Sequence, residues 1–153
     1  MKTILKEIKS VLSTSSTLSA IKKFEIVSPR LLPDIASSQV PYIGIAPVST
    51  SESWVAQRKQ AVHRVELYCV NYVQLMENSI IGDTVKPGLL EIVNDVESVI
   101  RGHRLPISDT NYLSKPIEIS SVDYSVTTYG DQFYLFVASI SLECVRLFNL
   151  TLP

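Results

Sequence analysis

From Ala61 to Met76 the chain alternates. Ala61, Val65, Leu67, Cys69, Val73 and Leu75 share one parity with His63 and Asn71, while Arg64, Glu66, Tyr68, Tyr72 and Gln74 share the other. Successive side chains of a strand point to opposite faces, so the pattern predicts a long strand with one buried face and one half-wet face. Such a strand needs sheet partners and a layer covering its apolar side. A second segment of the same kind runs from 132 to 148, with Phe136, Ala138, Ile140, Leu142 and Cys144 on one parity and Ser139, Ser141 and Glu143 on the other. The segment 117–127 precedes it across Tyr129-Gly130-Asp131, a hairpin signal.

The covering layer is also legible. Ile4, Leu5, Ile8, Val11 and Leu12 form one stripe at helical spacing over residues 2–12, and the Ser/Thr run that follows ends the helix by competing for its backbone. A second helix is predicted over about 85–101, where Leu89, Leu90, Ile92, Val93, Val96, Val99 and Ile100 line one face and spill onto its flank. Pro87 and Gly88 are placed in its first turn, Arg101 in its last, and Gly102 as its cap. Residues 22–28 read as a short strand, 29–40 (Pro29, Pro33, Asp34) as a loop, and 41–48 as a strand bounded by prolines. The polar stretch 49–60 reads as a loop or extended arm, and 77–83 and 103–115 as a turn and a loop. The expectation is one α+β domain over residues 1–153. It has an antiparallel or mixed sheet of about five strands, two helices packed on one face, and the order α-β-β-β-α-β-β.

The chemistry-bearing residues are sparse. The five glycines are isolated, so no phosphate-cradling glycine loop is present, and no nucleophile elbow occurs. Cys69 and Cys144 lack zinc-ligand spacing; they are read as buried reduced thiols, with a disulfide between them as the minor reading. His63 lies on the apolar parity and reads as a structural imidazole, and His103 as a cation near a helix C-terminus. Glu91, Asp95 and Glu97 read as a solvated helix face. No catalytic, cofactor or metal residue is expected. No apolar run reaches the length of a membrane span, and the Lys-bearing N-terminus lacks the pattern of a secretory leader, so a cytosolic product is expected.

Charge adds one constraint. The formal net charge is -1, which excludes a protein that binds through a broad basic nucleic-acid face. Yet residues 1–64 hold nine Lys/Arg against four Asp/Glu, and residues 65–153 hold five against eleven. Charged residues make up only 19% of the chain, which suits a surface partly covered by other subunits. The candidate contact residues are Trp54, Arg58 and Lys59 in the polar arm, and Arg64, Glu66, Tyr68 and Tyr72 on the half-wet strand face. Two readings of Trp54 stand: a ring folded back onto the core, or an interface anchor of the type common at hot spots.

The succession of landmarks resembles the tail terminator (tail-completion) proteins of long-tailed bacteriophages, including the minor tail protein family of lambda-like phages. The residues that carry it are the helix Ile4 to Leu12, the segment Val40-Pro41-Tyr42-Ile43-Gly44-Ile45 and the strand Ala61 to Met76, followed by the helix Leu89 to Arg101, Leu105-Pro106-Ile107 and the strand Phe133 to Phe148. The Trp54 arm has no counterpart in that pattern. The resemblance implies a structural virion protein without enzymatic activity, assembled in the host cytoplasm as a ring, hexameric in the family. Its partners would be copies of itself, the tail tube protein and a head-completion or neck connector protein, with DNA passing through the lumen without sequence-specific binding. Other neck or head-completion connectors share parts of the pattern. A small-molecule-binding α+β domain is the alternative from another class.

Overall fold

The computed structural model describes residues 1–29, 35–72, 76–84, 86–108, 111–129 and 133–148. Pro33-Asp34, the strand end at Val73–Leu75, the helix start at Val85 and the Gly130-Asp131 turn therefore lie outside the described residues.

Helix α1 spans Lys2–Thr14 and buries Ile4, Leu5, Ile8 and Leu12, the stripe expected of it. Each such side chain removed from water contributes about 1.5–3 kcal/mol. The Ser/Thr run ends the helix by a direct mechanism: the Thr14 hydroxyl donates to the Ser10 carbonyl at 2.8 Å, and Ser15 turns extended. Strand β1, Lys23–Ile26, pairs in parallel with β2, Tyr42–Val55, and β2 pairs antiparallel with β3, Arg58–Tyr72. Strands β6, Glu118–Tyr129, and β7, Phe133–Phe148, complete a five-stranded mixed sheet of order β1-β2-β3-β7-β6. Helix α3, Leu89–Ile100, lies with α1 on one sheet face, where Ile43, Ile45, Val65, Leu67, Cys69, Ala138, Ile140 and Leu142 meet both. The expected α+β architecture, with two main helices on one face, is the observed one.

The opposite face is covered over its inner half by the chain itself. A parallel pair cannot be joined by a tight turn, and the crossover from β1 to β2 lays Ile35 and Val40 against Tyr42, Ala46, Tyr68, Val70, Leu135 and Val137.

Three segments differ from their sequence reading. Residues 49–60, expected as a loop or arm, continue β2 and open β3, so the arm is a regular hairpin turning at Ala56-Gln57. A bulge at Val48, between the pairs Pro47↔Val65 and Ser49↔Arg64, inserts one residue and exchanges the parities of β2. Met76–Ile81 forms a short helix, α2, where a turn was expected over 77–83. The loop 103–115 contains a two-stranded ribbon, β4 at Pro106–Ser108 and β5 at Asn111–Tyr112. Arg104 braces it by donating to the Leu113 and Ser114 carbonyls at 2.7 and 2.8 Å. Helix α3 starts one residue after Gly88, which is its N-cap; the Glu91 carboxylate accepts the Gly88 N–H at 3.1 Å. Arg101 is the C-cap, and Gly102 follows in the left-handed region at φ 74°.

The hairpin turn carries strain. Ala56 and Gln57 both have positive φ, 46° and 65°, as a tight two-residue turn requires, yet neither is Gly, Asn or Asp. A non-glycine residue there costs about 1–2 kcal/mol. Gln57→Gly is expected to stabilise the protein by about 1 kcal/mol, since part of the relief is lost to unfolded-chain entropy. Chemical denaturation of the two proteins measures it.

Candidate functional site

The hairpin arm projects the most accessible large apolar side chain among the described residues. Residues 48–58 are all exposed, a run of strand with a reach of roughly 25 Å at strand spacing. Trp54 is 66% exposed, so it is not folded back onto the core. It pairs with Lys59, which in turn pairs with Phe148, so the three lie side by side across β2, β3 and β7 on the face that holds the helices. Lys59 bridges Glu52 at 2.6 Å and stands 5.9 Å from the Phe148 ring, while the Arg146 guanidinium lies 4.5 Å over the same ring. Two aromatics and two cations therefore share one face of the arm. Arg58 is exposed beside the turn.

The other expected contact residues do not join this patch. Arg64 is paired with Glu143 across β3 and β7 at 3.2 Å, an exposed pair of small energetic weight. The Tyr68 hydroxyl donates to Glu66 at 2.6 Å, and Tyr68 itself is core, under the crossover. Tyr72 packs partly against the same cluster, with its hydroxyl buried and unpartnered among the described residues. The half-wet face of β3 is thus filled from within at Tyr68 and Tyr72, and stays wholly or partly open from Arg58 to Glu66.

At the far edge of the sheet lies a groove of about 320 Å³ between α2, α3 and the edge strand β6. Ile80, Leu89 and Phe136 form its floor, and Leu90, Tyr124 and Val126 stand 37%, 53% and 54% exposed along its walls. Sequence reasoning missed this surface. Its signals were present, as Leu90 on the flank of the helix stripe and the alternation Val122, Tyr124, Val126, but only the packing shows that α3 stops short of covering β6. Helix α3 gives the groove an acidic flank of Glu91, Asp95 and Glu97, of which Glu97 bridges Arg101 at 3.5 Å, while Glu118 and Asp123 of β6 lie on the opposite face of the sheet, paired with Glu143 and Ser139. Burial and then Glu91 push the Asp95 carboxyl above its usual range, and burial and then Glu97 raise the Tyr124 phenol.

A second hollow of about 310 Å³ is lined by Lys22, Val40, Pro41, Asn71, Tyr72 and Lys86, among others. Its polar groups tie the chain to itself. The Asn71 amide donates to the Ser79 and Pro87 carbonyls, and Asp83 accepts the Lys86 N–H at 2.8 Å.

Cys69 and Cys144 are free and buried, and burial raises each thiol to about 12. His63 is 6% exposed, with Nδ1 2.9 Å from the Thr50 hydroxyl and Nε2 unpartnered among the described residues. Burial, then the N-terminal amine of α1 and Arg146 of β7, lower its pKa below 6.5, with Glu52 of β2 opposing. A base whose folded pKa is depressed contributes stability that is complete above the unfolded value and lost as pH falls through it. Melting temperature should therefore drop as pH falls from about 7 toward 5, and His63→Leu should flatten that part of the profile.

Among the described residues no group of three or more His, Cys, Asp or Glu side chains is placed to hold a metal, and no helix is long and apolar enough to cross a membrane. No family model and no curated protein matches the chain. The fold does have a solved counterpart. A chain in the virion of a native gene transfer agent (GTA) particle superposes with a TM-score of 0.62 at 11% identity, over 93% of this chain and 93% of that one. At that identity the likeness is one of fold, and it runs the length of both chains.

Proposed function

We propose that this chain is a structural virion protein without enzymatic activity, which assembles as a ring, hexameric by its resemblance to tail terminators, at the end of a tail tube. There it stops tube growth and presents the surface to which the head connector docks, while DNA passes through the lumen. The observation that carries the reading is the near-complete fold likeness to a chain of a virion particle. It agrees with the resemblance carried by the order of helices and strands. The surfaces suit the role: a head-to-tail ring needs two different, complementary patches on each subunit, and the chain offers a cationic aromatic arm and an acid-flanked apolar groove.

Light scattering coupled to size exclusion, with the protein alone and with purified tail tubes, tests this. The expected result is a single closed species of about six subunits, either free or on one tube end. A protein that stays monomeric and ignores tubes contradicts the reading. A protein that binds the portal complex and not the tube is a neck or head-completion connector.

A further inference from the structure

We infer that the arm of one subunit docks in the α3–β6 groove of the next copy, Trp54 entering between Leu90, Tyr124 and Val126. The inference rests on the ring reading and names the surfaces that close the ring. Three observations carry it. The arm places a 66%-exposed Trp54 at its end, and the groove offers three partly exposed apolar walls with an apolar floor. Burying an indole in such a pocket, with an arginine nearby, is the usual composition of an interface hot spot. The two surfaces differ in charge: Arg146 and Lys59, the latter bridged to Glu52, accompany the aromatics of the arm, whereas α3 beside the groove carries Glu91, Asp95 and Glu97, the last bridged to Arg101. Finally, both are parts of one rigid sheet, near its opposite edges, so the contact is heterologous and propagates from copy to copy. Closure then follows from the angle between the patches. The positive φ at both Ala56 and Gln57 keeps the turn tight and the arm short of slack.

The native thiols do not interfere with a cross-linking test, because Cys69 and Cys144 are both fully buried. The double variant Ser53→Cys, Ser125→Cys, which leaves Trp54 and the three apolar walls in place, is oxidised after assembly, with tail tubes added if the free protein is monomeric. The expected result is a ladder on a non-reducing gel that rises to the full ring number and collapses on reduction, with each single variant giving dimers at most. A second readout uses the wild-type chain, whose only tryptophan is Trp54. Its emission should move to shorter wavelength on assembly, and Val126→Asp should abolish both the shift and the ring while the variant monomer keeps its melting temperature. Rings that form without ladder and without emission shift overturn the docking and leave the ring reading intact. Absence of any assembly, with or without tubes, overturns both.

Discussion

Trp54→Ala is expected to abolish assembly while leaving the melting temperature of the monomer unchanged. The two halves of this result come from one number. At 66% exposure the indole contributes little to the folded monomer, and truncations at such sites usually change stability by within about 0.5 kcal/mol. In the assembled state the same ring is an anchor, and losing a hot-spot aromatic costs about 2 kcal/mol or more per contact, roughly thirtyfold in each association constant. A ring compounds that loss over every interface. Sedimentation at matched concentration, beside a thermal melt, reads both. A large drop in monomer stability would return Trp54 to the core, and normal assembly would remove it from the interface.

Leu67→Ala should do the reverse. Leu67 is fully buried in β3, between β2 and β7, under α1 and α3. Removing three carbons there forfeits transfer energy and leaves a cavity that the neighbouring strands cannot collapse into, a loss of about 2–5 kcal/mol. Against a total of about 5–15 kcal/mol this is a large fraction, and it corresponds to a fall of roughly 10 °C in melting temperature for a domain of this size. Glu66→Ala, one residue away on the open face, should lose at most about 1 kcal/mol, because it removes only the bond from Tyr68 and a half-exposed carboxylate. Denaturant curves for the pair test whether the alternation at 61–72 faces the way the fold says.

That alternation shows where sequence was enough. One buried and one open face make a period of two, and β3 and β7 carry it residue by residue. Helix α1 was legible for the same reason at a period of 3.6. The outer half of β2 was not, because residues 48–55 are exposed on both faces and leave no burial period to read, and the bulge at Val48 breaks the parity just where the polar run begins. The Ala56-Gln57 turn lacks the Asn-Gly or Asp-Gly signature that would have joined the strands. Helix α2 is too short for a stripe. The candidate contact set was partly legible: Trp54, Arg58 and Lys59 were singled out by residue type, but Phe148 and Arg146 join them only through the β3–β7 register, and Tyr68 left the set once the crossover covered it. The groove depended on where α3 ends relative to an edge strand, which no local pattern encodes.

The most direct measurement of the central claim is tube length. Purified tube subunits polymerising in the presence of this protein, followed by electron microscopy with the protein labelled, should give tubes of arrested length with a single ring-shaped density at one end only. Tubes that grow to the same length with and without the protein, and carry no density at either end, would contradict the account.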